Sequence, residues 1–222
     1  LTDADLDGTY EVIDTVDDGN LGFDVQTINV TILDSTVLDQ FNSVSYSLND
    51  GPKDWADKWH EVGETENPGA GRVRIVGGEV RIGGDDVDIN GRGLYREADL
   101  SGSTTATLSF SYQRQLLDDS GGSITLSISD DGGSTWNNLK TYSLNGTDSS
   151  PVLEEFDISA FIASNTQVRF IGSGSDIGSY FFFDNVQISD EAFGNNQPVI
   201  TSNGGGDNAS INVIENTTSV TT

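Results

Sequence analysis

Apolar and polar side chains alternate with a period of two in one short run after another. Leu108, Phe110 and Tyr112 alternate with Ser109, Ser111 and Gln113; Ile124, Leu126 and Ile128 alternate with Thr125, Ser127 and Ser129. Nearer the start, Ile28, Val30 and Ile32 share one face, and Thr27, Asn29 and Thr31 the other. Such strands pack one face on a core and wet the other, which is the antiparallel habit. Further strand signals fall at 43–48, 72–76, 79–82, 139–144, 167–171 and 180–188. No window of twelve residues carries a helical period, and 158–162 holds one short turn. The chain has 26 Gly and only 4 Pro, and its Gly, Ser, Asn and Asp punctuate the short runs as turns. The expected fold is all-β, an antiparallel β-sandwich of the jelly-roll kind.

Composition removes several functions. There is no Cys and a single His, so no disulfide framework, thiolate nucleophile, Cys-ligated zinc or histidine metal cluster forms. Ten Lys+Arg stand against 36 Asp+Glu, a net charge of −26. That balance excludes nucleic acid as a partner, which needs cationic side chains, and opposes an anionic membrane surface. No apolar run approaches the roughly 18 residues of a membrane span, so no membrane insertion is expected. Three parts are expected: a C-terminal piece of a preceding β-domain at 1–36, the sandwich at 37–190, and a linker with the first strand of a following domain at 191–222. The chain opens at Leu1 with no signal peptide and reads as a monomeric piece of a longer multidomain protein.

Several motifs carry possible chemistry. Asp3, Asp5 and Asp7 alternate ahead of Gly8, and Asp14 falls at the twelfth position of the count. That spacing lets a tight loop wrap a hard cation with oxygen ligands; a solvated acidic loop is the competing reading. The match resembles dockerin calcium loops, except that strand-like sequence follows rather than a helix. Ser129, Asp131, Gly133, Thr135 and Trp136 fit the Asp-box pattern of sialidases. It occurs once, without the repeat a propeller needs, and is read as a structural hairpin: Asp131 caps turn amides, Gly133 takes positive φ and Trp136 packs beneath. Trp55 and Trp59 lie in a polar stretch. They either stack on the apolar faces of sugars or plug the edge of the sandwich. Tyr95 and Arg96 either clamp a ligand or form structural pairs. Asp184 interrupts an apolar final strand, Phe181–Phe183 to Val186, at a cost unless its charge is met by calcium, by a hydrogen bond or by an Arg such as Arg169. His60 is the sole imidazole and no G-x-S-x-G elbow exists, so no catalytic triad is expected.

The stretch from Asp39-Gln-Phe41 through Asn49-Asp50-Gly51, Trp55, Trp59-His-Glu61, Tyr95-Arg96-Glu97 and Phe156-Asp157 to Asp184-Asn185-Val186 resembles the jelly-roll modules of very large secreted bacterial surface proteins. These are similar to carbohydrate-binding and MAM-type modules. The resemblance implies a structural calcium beside the last strand, held by Asp184, with Asp39 and Asp50 as further ligands. The flanks are similar to cadherin-like repeats. Asn195-Asn196-Gln197-Pro198 resembles their linker, Ile214-Glu215-Asn216 their first strand with Glu215 as calcium ligand, and Asp3-Ala4-Asp5 their internal acidic motif; Asn195 departs from the usual Asp.

The expected function is non-catalytic: a calcium-stabilised, carbohydrate-binding module of a secreted, cell-surface, adhesin-like bacterial protein. Its expected ligand contacts are Trp55, Trp59, Tyr95 and Arg96. The alternatives are a calcium-rigidified spacer in an adhesin and an accessory module of a polysaccharide-degrading enzyme.

Overall fold

The structure is a computed structural model and describes residues 9–17, 23–31, 36–117, 122–174 and 177–192. Contacts divide the chain into two compact units, Leu1–Leu33 with Phe193–Thr222, and Asp34–Ala192. In the first unit, β1 (Thr9–Asp17) and β2 (Phe23–Thr31) pair antiparallel in continuous register, with Asp14 opposite Gln26. A nine-residue extended strand beginning at Thr9 is not a loop closing on an ion at Asp14. The twelve-residue calcium loop expected from Asp3 to Asp14 is thereby corrected. Asp3, Asp5, Asp7 and Glu215 lie outside the described residues.

The second unit is an antiparallel β-sandwich. Its strands are β3 (Val37–Asp39), β4 (His60–Val62), β5 (Val73–Val76), β6 (Glu79–Val87), β7 (Gly93–Ala98), β8 (Ser103–Leu116), β9 (Ser123–Ser129), β10 (Asn137–Ser143), β11 (Val152–Asp157), β12 (Thr166–Ser173) and β13 (Ile177–Ala192). One sheet runs β10-β9-β12-β7-β4. The other runs β11-β8-β13-β6-β5, with β3 also paired to β13. The chain stays in one sheet only at β5–β6 and β9–β10 and crosses between sheets at every other connection from β3 to β13, so the two layers interlock in the jelly-roll manner. A single 3-10 turn, Ser159–Phe161, fills the helical signal.

The alternation seen in the sequence decides what each strand buries. Leu108 and Phe110 on one sheet, and Ile124, Leu126 and Ile128 on the other, are all fully buried. Rings continue the core: Phe170 stacks on Phe183 at 4.1 Å and meets Phe110 edge-on at 5.0 Å. In β13 the alternation slips at a bulge after Asp184, where Asn185 takes φ 53°. The extra residue lets Phe181 and Phe183 before it, and Val186 and Ile188 after it, all point inward. It also carries β13's neighbour from β6, paired up to Phe183, to β3, paired from Val186.

The expected 43–48 strand does not form; that stretch is irregular although Tyr46 is buried. It belongs to the long segment between β3 and β4 that folds over one side of the sandwich and delivers Phe41, Tyr46, Trp55 and Trp59 inward. Trp59 is fully buried and Trp55 is 5% exposed. The expectation that these two rings stack on sugar is corrected: both plug the core. The polar neighbours that made the stretch look exposed satisfy one another outside. Lys58 pairs with Glu66, and His60 lies 3.1 Å from Asp57 and 2.6 Å from Glu66.

Arg96 anchors this segment and is itself 1% exposed. Its Nη1 donates to Asp39 Oδ2 at 2.6 Å, its Nε to the Asp57 carbonyl at 2.8 Å, and its Nη2 to the Leu48 carbonyl at 2.8 Å. The guanidinium lies 4.8 Å from the Trp55 ring centroid. Asp39 also accepts from Trp59 Nε1 at 2.9 Å and from the Phe41 amide at 2.9 Å. Burial pulls Arg96 down to about 10, against the hold of Asp39. Ligand clamping by Arg96 is therefore corrected to structural pairing. Calcium ligation by Asp39 is corrected too, since a guanidinium, an indole and an amide already meet its carboxylate.

Candidate functional site

On β7, Leu94, Arg96 and Ala98 point inward, so Tyr95 and Glu97 point out. Opposite them on β12, Gln167 pairs with Glu97 and Arg169 with Tyr95. On the far side of β12, Ser127 pairs with Arg169 and Ser129 with Gln167. These residues make the outer side of the five-stranded sheet, polar with aromatic margins; Ser127, Ser129 and Gln167 are buried there, and Tyr95, Glu97 and Arg169 are partly exposed. Val62, Tyr95, Gly132, Gly133, Trp136, Gln167 and Arg169 line a shallow depression of about 250 Å³.

Each margin is held in place. Tyr95 stacks on His60 at 5.2 Å and 21° between planes, and the His60 ring nitrogens are held by Asp57 and Glu66. Trp136 is placed by the turn between β9 and β10. Asp131 accepts from the Thr135 amide and the Thr135 hydroxyl, each at 2.8 Å, and from the Ser129 hydroxyl at 2.7 Å. Those bonds, led by the Thr135 amide, lower Asp131 to about 2. Gly133 takes φ 84°, and a Cβ there would meet Gln167 Oε1 at 2.6 Å and the Trp136 ring at 3.2 Å. The structural reading of the Asp-box is what the turn shows. Its consequence is functional: the turn sets a half-buried indole against Arg169, whose guanidinium lies 3.8 Å from the ring centroid. The floor is ordered by hydrogen bonds from Gln167 Nε2 to Glu97 at 2.8 Å and from the Ser127 hydroxyl to Asn138 at 3.0 Å.

Of the four expected ligand contacts, only Tyr95 lies on this face. Trp136, Gln167 and Arg169 were not expected there. Their sequence signals are a Trp closing a rigid turn and two polar residues alternating with the buried Val168 and Phe170. The anticipated pairing of Arg169 with Asp184 does not occur. The two lie on different sheets, and no ion pair to Arg169 forms among the described residues.

Because Trp55 and Trp59 are sealed, acrylamide is expected to quench chiefly Trp136. Trp136→Phe should remove most of the quenchable emission. Equal quenching of parent and variant would contradict this placement.

Asp184 lies on the outer side of β13 at the bulge. Its carboxylate accepts from the Asn185 amide at 2.7 Å and side chain at 2.8 Å. Burial, and then Glu79, Asp39 and Asp50, push it up to about 6. Asp50 caps the Gln40 amide at 2.8 Å. Among the described residues no group of three or more His, Asp or Glu is placed to hold a metal ion. The shared Asp39–Asp184 calcium site does not fit these donors.

A raised carboxyl favours the proton-bound folded chain. Its contribution to stability is full below the ordinary value of 3.8 and is lost as pH rises through about 6. Asp184→Asn, which keeps the cap to the Asn185 amide, is expected to melt higher than the parent at pH 7. That advantage should disappear towards pH 4. A constant difference across this range would contradict it.

No protein-family model and no curated protein matches the chain. Among solved structures, a xylan-binding module, CBM15, is similar at 14% identity and TM-score 0.44, covering 63% of this chain and 95% of its own. A family 29 carbohydrate-binding module gives 11% and 0.44, with 71% and 90% covered. The C-terminal family 22 carbohydrate-binding module of Clostridium thermocellum Xyn10B gives 15% and 0.43, with 71% and 93% covered. Likeness of this degree carries no weight for function.

Proposed function

We propose that the Asp34–Ala192 unit is a non-catalytic carbohydrate-binding module, and that its ligand lies across the outer face of the five-stranded sheet. One observation supports this most: two aromatic side chains, Tyr95 and Trp136, line a single depression floored by Gln167 and Arg169. Sugars present apolar ring faces and a rim of hydroxyls. Fixed aromatic surfaces take the first, and amide, guanidinium and hydroxyl groups take the second. Both aromatic groups are braced by neighbours, so little side-chain freedom is lost on binding. The same reading places the module in a larger secreted, cell-surface bacterial protein, consistent with a Cys-free, strongly acidic chain.

Calcium belongs to this reading only through Asp3, Asp5 and Glu215, the expected ligands that lie outside the described residues. Excess EDTA should lower the melting temperature of the full chain. Unchanged melting in EDTA would contradict calcium stabilisation.

The spacer reading gains from the burial of Trp55 and Trp59, which removes one expected contact surface. A glycan array on the full 222-residue chain, run with calcium and with EDTA, separates the two readings. Binding to a sugar class supports the module. No binding by folded protein in either condition overturns it in favour of the spacer.

A further inference from the structure

The chain holds seven Arg and three Lys among 36 acidic residues. Four of the seven arginines meet carboxylates. Arg72 and Arg92 meet Glu64, Arg96 meets Asp39, and Arg114 meets Asp148 at 2.7 Å. Arg169 shares with Arg74 the lack of an ion pair among the described residues, and of the two it is Arg169 that lines the candidate site. Its Nε is sealed from solvent without a hydrogen bond. Burial lowers its pKa with no opposing carboxylate contribution.

The residues around it are neutral: Tyr95 and Ser127 on the flanking strands, and Trp136 beneath the guanidinium. The nearby carboxylate of Glu97 is engaged by Gln167. A guanidinium with one face on an indole still directs its N–H groups outward in its own plane, in the fork that matches a carboxylate or sulfate. Leaving such a cation unmet in a partly desolvated pocket costs stability, in a chain with carboxylates to spare. A ligand anion would meet it.

We infer that the ligand of this face is an acidic glycan, whose carboxylate or sulfate ester pairs with Arg169 while a neighbouring ring stacks on Tyr95 or Trp136. This rests on the carbohydrate-binding reading above and adds the ligand's charge. The overall charge of −26 repels a polyanion at long range. At physiological salt that repulsion fades over about 8 Å, whereas the contact pair in the pocket is screened far less.

The test is calorimetric titration of the full chain at 0.15 M salt with three sets of oligosaccharides of matched length: neutral xylan fragments, oligogalacturonates and sulfated galactans. One acidic set is expected to bind about tenfold to a hundredfold tighter than the neutral set, the range for hydrogen bonds to a charged group. Carboxylate and sulfate arms identify which anion is read. Arg169→Met should collapse the acidic-to-neutral ratio to near one. Arg169→Lys, which keeps the charge and the fold but loses the fork, should fall between. A neutral set binding as tightly as both acidic sets, or a ratio unchanged in both variants, overturns the inference while the binding reading stands. No binding by any set, with the fold verified, overturns both.

Discussion

Replacing Arg96 with methionine is expected to cost about 3–5 kcal/mol of folding stability, because removing one partner of a buried pair leaves the other charge sealed and unmet. Asp39 would retain the Trp59 indole and the Phe41 amide but lose its counter-charge. The Asp57 and Leu48 carbonyls would lose their donors as well. Those contacts tie β3, β7 and the long β3–β4 segment together, so the loss falls on the docking of Trp55 and Trp59. Against a typical domain stability of about 5–15 kcal/mol, such a change moves the urea midpoint substantially. The buried indoles report it by fluorescence. Asp39→Asn combined with Arg96→Met should recover much of the loss, since removing both charges removes the mismatch. A single-variant loss below about 1 kcal/mol, the scale of an exposed pair, would show that the pair is not buried as described.

The second large effect concerns binding. Trp136→Ala is expected to weaken glycan affinity by about 2 kcal/mol or more, roughly thirtyfold, as for a central aromatic contact. The indole is half-buried at the end of a turn held independently by Asp131, so the fold should survive. Trp59→Ala provides the contrast. That ring fills the core and touches Phe41, Trp55 and Phe183, and its removal should cost about 3–5 kcal/mol. Retained affinity in a folded Trp136→Ala chain would remove the outer face of the five-stranded sheet from consideration.

Strands whose inward positions are all apolar were legible from alternation, and β8 and β9 are the clearest. β7 was not. Its inward row is Leu94, Arg96 and Ala98, and a buried arginine breaks the apolar pattern even though the backbone is extended. β11 was missed because it is an edge strand with no buried residue, and Leu153 is 67% exposed. β3 is only three residues long and is defined by its pairing across the bulge in β13. The site was harder still. Trp55 and Trp59 sit among charged neighbours, and sequence cannot show that those charges pair with one another while the rings turn inward. Trp136 was visible as part of a rigid turn, but that the turn lies over β12 depends on sheet order, which no local pattern carries. Asp184 looked like a buried charge within an apolar strand. Alternation from the inward Phe181 and Phe183 already turns it outward; what alternation does not reveal is the bulge at Asn185, which returns Val186 and Ile188 to the core.

The most direct measurement is a two-dimensional amide and indole NMR titration of the full chain with the tightest-binding glycan from the array. The chain has three tryptophans, so three indole N–H signals report on three separate places. The account predicts that the Trp136 indole signal moves, with the amides of Tyr95, Gln167 and Arg169, while the Trp55 and Trp59 indoles stay fixed. Shifts confined to the outer face of the six-stranded sheet, with the Trp136 signal unmoved, would contradict it.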